Sequence, residues 1–136
     1  MVPFSSRVTS DGSVELAYRG DIERLITGLK QKGHTIFCAL EYTGWKMGGS
    51  TAPEDELRHD FEQIDASDTL IALLEEKVSA GIQLECGYAH AKNKKIDMYQ
   101  IGKTAWSNSA FATLNGNKII SVKDIPDFVD QVLNRI

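Results

Sequence analysis

The stretch V-S-A-G-I-Q-L-E-C-G-Y-A-H-A-K-N-K-K, residues 78–95, comes shortly after the apolar run T-L-I-A-L-L of residues 69–74. A buried strand, a small polar turn and a helix in quick succession make the repeating unit of a parallel α/β sheet. The spacing puts Glu85 in the first turn of that helix, where free backbone N–H groups and the helix dipole favour a carboxylate. The same N–H groups make the preceding turn an anion cradle. Ser79 and Gly81 are residue types that let a phosphate approach such a backbone closely. The unit offers an anion seat and a positioned acid together.

The flanking chain repeats the alternation. Residues 1–4 allow only a stub of strand, and residues 5–17 read as a polar loop turning at Asp11-Gly12. Ile22, Leu25, Ile26 and Leu29 share one face of a helix expected over residues 20–32, with Gly33 as its stop. The run H-T-I-F-C-A-L, residues 34–40, reads as a buried strand. Residues 41–52 form a loop holding Trp45, which either serves function or covers the core. Thr51, Pro53 and Glu54 resemble a capping box opening a second helix, with Leu57, Phe61 and Ile64 as its buried stripe.

Beyond residue 95, K-I-D-M-Y-Q-I (95–101) reads as a strand and residues 102–116 as loop, with a helical turn at 109–114. A last strand is expected over 118–122. A closing helix over 124–136 carries Ile125, Phe128, Val129, Val132 and Leu133 on its inner face. The predicted fold is therefore a single α/β domain over residues 1–136. It is a three-layer sandwich of the flavodoxin/Rossmann-like kind, with a parallel sheet of about five strands and helices on both faces. Ligands of such sheets sit at the carboxyl ends of the strands, which gathers loops 5–17, 41–52, 75–81 and 102–108 around one site.

Composition narrows the class of partner. The chain has 136 residues, 42% apolar and 25% charged, with a formal net charge of -4. That charge argues against a nucleic-acid polymer but leaves room for a single nucleotide. No apolar run is long enough to span a membrane and no basic-then-apolar leader opens the chain, so a cytoplasmic protein is expected. Cys38 and Cys86 have no metal-ligand spacing and read as buried residues of a strand and a helix. His34, His59 and His90 share no ligand spacing either, so neither a metal nor a cofactor is expected. Gly87 reads as a close helix–sheet contact, and Tyr88 either packs in the core or orients Glu85. Lys92, Lys94 and Lys95 read as a solvated helix end.

Three segments in order carry a resemblance. E-C-G-Y-A-H-A-K-N-K-K-I (85–96) resembles the E-x-G-x-A-x-A-x-x-K-x-x signature of the nucleoside 2-deoxyribosyltransferase superfamily, in which that glutamate is the nucleophile. H-D-F-E-Q-I-D-A-S-D-T-L-I-A (59–72) resembles the family's D-x-x-x-I-x-x-A-D segment, and P-F-S-S-R (3–7) its first-strand P-F loop. Only Met1 and Val2 precede Pro3, where the family has a full strand, so the first strand is expected to be short or truncated. Serine six residues before the glutamate, as at Ser79, is similar to the 5′-monophosphate N-glycosidases. The transferases proper tend to carry an aspartate there. A hydroxyl at a helix N-terminus donates to a phosphate that a carboxylate would repel.

The resemblance implies hydrolysis of the N-glycosidic bond of a nucleoside 5′-monophosphate, with a pyrimidine such as CMP favoured. Glu85 would attack C1′ and Asp60 would hold the base or sugar and move a proton. Read as residues alone, both acids are first of all ordinary helix positions, Glu85 a common first-turn acid and Asp60 a solvated surface residue. Ser79, the Gly81 backbone and Ser109 from a second subunit would hold the phosphate, which implies a homodimer. Phe4 and Trp45 would stack on the base. Arg7 would contact phosphate or base, and Ser5 stands where the pyrimidine hydrolases carry an arginine. Two alternatives stand beside this one: base exchange between deoxynucleosides, and a nucleotide-binding module without catalysis.

Overall fold

β3, Thr69–Leu74, is buried on both faces from Leu70 to Leu74, and its side chains divide between two helical layers. Ile71 and Leu73 pack into one cluster and Leu70, Ala72 and Leu74 into another. Successive side chains of a strand point to opposite faces, so β3 must lie between two apolar layers. The computed structural model describes residues 3–5, 13–38, 53–75, 80–102 and 119–136.

Among the described residues the order is β1 (Pro3–Ser5), α1 (Ser13–Gln31), β2 (Phe37–Cys38), α2 (Pro53–Asp65), β3, α3 (Ala80–Ala91), β4 (Lys95–Ile101), β5 (Ile120–Val122) and α4 (Ile125–Arg135). The five strands form one sheet in the order β2-β1-β3-β4-β5. All four pairings are parallel. β3 and β4 pair along six positions, from Thr69 opposite Lys95 to Leu74 opposite Gln100. β1, described over Pro3–Ser5, is the second strand of the sheet and pairs with both β2 and β3.

Two apolar clusters fill the layers. α1 and α4 cover one face, where Ile22, Leu25, Ile26 and Leu29 meet Phe128, Val129 and Val132. Tyr99 and Phe128 join edge-to-face at 5.1 Å within that layer. α2 and α3 cover the other face, where Ile64, Ile82, Cys86 and Ala89 meet Ile96 and Met98. Cys38 and Cys86 thus belong to opposite faces of the sheet, and both are free thiols.

The helix ends follow from local chemistry. Gly33, at φ 90°, closes α1 in a Schellman arrangement, with His34 N–H donating to the Leu29 carbonyl and Gly33 N–H to that of Lys30. Asn93, at φ 56°, closes α3 with the same pair of bonds, to Ala89 and His90. Asp124 caps α4 by accepting from the Asp127 N–H at 2.9 Å.

Three expectations need correction. α1 starts at Ser13, seven residues before the expected start at Gly20, so the loop after β1 is shorter than 5–17. Gly20 lies inside the helix, where a Cβ would meet nothing within 4 Å; the roughly 1 kcal/mol glycine penalty did not end the helix there. Of residues 34–38 only Phe37 and Cys38 are strand, while His34–Ile36 are irregular as the chain leaves the Gly33 cap; residues 39 and 40 of the expected strand lie outside the described residues. Gly87 is exposed, and a Cβ there would meet nothing within 4 Å, so it makes no close contact with the sheet. No helix among the described residues is long and apolar enough to cross a membrane.

Candidate active site

The strand order reverses direction of growth between β1 and β3. The chain leaves β1 for α1 on one face and β3 for α3 on the other. A crevice opens at such a point beyond the carboxyl ends of the strands, and it is the usual ligand position in open α/β sheets. Phe4 and Ser5 lie at the carboxyl end of β1, and Gly81 lies in the first turn of α3.

Glu85 is the sixth residue of α3 and stands in its second turn, because the helix has begun by Ala80. The expectation of a first-turn acid is therefore incorrect. The free N–H groups of the helix start do not reach it, and another cause must hold it in place. Its side chain is buried, only 7% exposed. The carboxyl of Asp60, half-buried on α2, is hydrogen-bonded to it. Two carboxyls can share such a bond only when one proton lies between them.

Burial raises the Asp60 carboxyl above its ordinary value, against the opposing pull of the Glu85 hydrogen bond and the nearby His59. Behind the pair, Cys86 is pushed up to about 12 by burial, with the charge of Glu85 adding to it. Cys86 is therefore a packed thiol rather than a nucleophile.

A second set of contacts ties the same two helices together. Phe61, next to Asp60, stacks on Tyr88 with ring centroids 4.2 Å apart and planes within 10°. The Tyr88 hydroxyl donates to Asp65 Oδ2 at 2.8 Å. Lys92 Nζ lies 3.5 Å from Asp65 Oδ1, and Lys94 Nζ donates to the Asp65 carbonyl at 3.0 Å. Tyr88 thus bonds to Asp65 rather than serving as a direct partner of Glu85. The lysines read as a solvated helix end are instead bound to α2, except Lys95, which pairs with Asp97 at 3.3 Å.

Sequence reasoning missed Asp65. Its signal was an acid in the last turn of a helix lacking any basic residue there, a position where the dipole disfavours negative charge and a cationic partner is called for. The structure brings Asp60 and Glu85 together, and its topology puts Phe4, Ser5 and Gly81 at the same edge of the sheet. Arg7, Trp45, Ser79 and Ser109 lie outside the described residues. Among the described residues no group of three or more metal-ligating side chains converges.

No protein-family model matches the sequence. No curated protein matches it either. Solved structures do match, almost end to end. The CMP N-glycosidase BcmB of Clostridium botulinum superposes with a TM-score of 0.71 at 20% identity, covering 96% of each chain. The 2-deoxyribosyltransferase of Leishmania mexicana gives 0.68 at 14% identity, covering 99% of this chain and 98% of that one. The 2-deoxyribosyltransferase of Bacillus psychrosaccharolyticus gives 0.64 at 15% identity, covering 97% and 94%. The chain has the nucleoside 2-deoxyribosyltransferase-like fold.

Proposed function

We propose that this protein is an N-glycosidase that hydrolyses a nucleoside 5′-monophosphate to free base and sugar 5-phosphate. The observation that carries the reading is the Asp60–Glu85 carboxyl pair, hydrogen-bonded between α2 and α3 in the layer beside the sheet's ligand crevice. Two carboxyls with one proton between them hold both a nucleophile and an acid. As substrate binds, the shared proton passes to Asp60, and the Glu85 carboxylate attacks C1′ and forms an ester as the C1′–N bond breaks. The bonding electrons leave with the base, which takes its proton from Asp60. Water then attacks C1′, gives a proton to the Asp60 carboxylate and releases Glu85.

Substrate selection would rest on Ser79 and the first turn of α3. Ser79 and the Gly81 N–H would donate to the 5′-phosphate, joined by Ser109 from a second subunit of a homodimer. Phe4 and Trp45 would stack on the base, with a pyrimidine such as that of CMP favoured, and Arg7 and Ser5 would line the same crevice. The protein would act on a free nucleotide in the cytoplasm and require no cofactor.

Transfer of deoxyribose between bases is the second reading, supported by the likeness to two 2-deoxyribosyltransferases of known structure. The serine at position 79 supports hydrolysis of a phosphorylated substrate. The test offers phosphorylated and unphosphorylated nucleosides side by side, with and without a free acceptor base. Base released from monophosphates alone, with no exchanged nucleoside, is the expected result. Exchange between unphosphorylated deoxynucleosides would replace the hydrolase with the transferase.

A further inference from the structure

We infer that Tyr88 is a positioning residue: its ring, stacked on Phe61, sets the spacing of α2 and α3 at which Asp60 and Glu85 meet. The inference rests on the carboxyl pair being the reactive centre proposed above. Two helices on one face of a sheet are held apart mainly by the side chains between them, and a small displacement of a reacting group costs rate steeply. Three successive contacts cross from α2 to α3: Asp60 to Glu85, Phe61 to Tyr88, and Asp65 to Tyr88 and Lys92. Their partners advance in step along both helices, so they form one ladder between two parallel helices.

Within that ladder the Phe61–Tyr88 contact is the rung next to the carboxyl pair. Phe61 follows Asp60 in the chain, and Tyr88 lies three residues after Glu85, nearly one helical turn. The rings are 4.2 Å apart and almost coplanar, and both pack, partly buried, against the apolar cluster of this face. The rung beyond it is polar and exposed, with the Lys92 and Asp65 side chains 48% and 46% accessible, so its ion pair adds little. The ring and not the hydroxyl is the part of Tyr88 that sets the spacing.

The test compares Tyr88→Ala, Tyr88→Phe and Phe61→Leu in the full chain, by base release and by NMR titration of the Asp60 side-chain carboxyl. The groups facing Asp60 are Glu85 from α3 and His59 and Glu56 from its own helix, and none of them is altered. Tyr88→Ala is expected to move the Asp60 midpoint by about half a pH unit or more. It should also lower kcat about tenfold or more while KM stays within about twofold. Phe61→Leu should reproduce both effects from the other helix, and Tyr88→Phe should keep the wild-type titration and rate. A Tyr88→Ala protein with lowered Tm but unchanged titration and kcat would overturn the inference. So would a Tyr88→Phe protein that fails as badly as Tyr88→Ala. Should the wild-type protein release no base from any nucleotide, the proposed function fails, and the Asp60 titration alone still decides the role of Tyr88.

Discussion

Replacing Asp60 by asparagine should separate activity from stability, because the same carboxyl serves one at the expense of the other. Asparagine keeps the shape of the side chain, and its amide N–H can donate to Glu85, so the cross-helix hydrogen bond survives. What disappears is the proton. A positioned acid–base group is worth about 10²–10⁴ in rate, so base release should fall by that factor, a barrier rise of about 3–5 kcal/mol. Stability should move the other way. Burial raises the Asp60 carboxyl above its ordinary value of 3.8, so the folded protein keeps a proton that the unfolded chain has already lost. Over the window from 3.8 up to that raised value, wild-type stability declines as pH rises, and above the window the deficit is constant.

Asparagine has no charge to bury, so this part of the pH dependence vanishes. Urea unfolding at about pH 4 and about pH 7 should show Asp60→Asn gaining on the wild type as pH rises. Base release at neutral pH, followed by chromatography, gives the other half of the comparison. A rate within about threefold of the wild type would refute the acid–base role. A variant less stable than the wild type by more than about 1 kcal/mol at neutral pH would refute the claim that burial dominates at this carboxyl.

Phe128 is fully buried against Tyr99 on the far face of the sheet, so Phe128→Ala should cost about 3–5 kcal/mol in urea unfolding. Its Asp60 titration should be unchanged, because α4 packs away from α2 and α3. Cys86, pushed up to about 12, and the buried Cys38 should resist a thiol reagent at mildly alkaline pH until denaturant is added. Rapid modification of one thiol in the native protein would contradict the packing described. Asp124→Ala removes the side-chain cap of α4 and should cost about 0.5–2 kcal/mol by thermal unfolding.

Periodicity told most where side chains face one uniform environment. β3 and β4 run over the residues expected, and the stripe of Ile22, Leu25, Ile26 and Leu29 is wholly buried. The Gly33 stop and the closing helix were equally legible, since each depends on a local backbone preference. Helix starts were harder. Gly20 looked like a boundary only because its cost was set against local context, whereas a helix anchored by the buried stripe that follows it runs through it from Ser13. Glu85 slipped from first turn to second for the same reason, as α3 is already helical at Ala80.

The candidate site was legible as residue types and not as a geometry. Asp60 and Glu85 lie twenty-five residues apart, with β3 between them, and their meeting depends on α2 and α3 sharing one face of the sheet. The Tyr88–Asp65 bond is non-local too, so spacing along α3 left core packing and orientation of Glu85 as the open readings for that tyrosine. Asp65 had a local signal, an acid at the wrong end of a helix, but its partners come from a different helix.

The central claim is that Glu85 breaks the N-glycosidic bond of a nucleoside 5′-monophosphate. Its most direct test measures free base released from a panel of ribo- and deoxynucleoside monophosphates by the wild-type protein and by Glu85→Ala. The account predicts release from at least one monophosphate, pyrimidines foremost, and its loss in Glu85→Ala while the variant remains folded. No release from any nucleotide, or equal release by the two proteins, would contradict it.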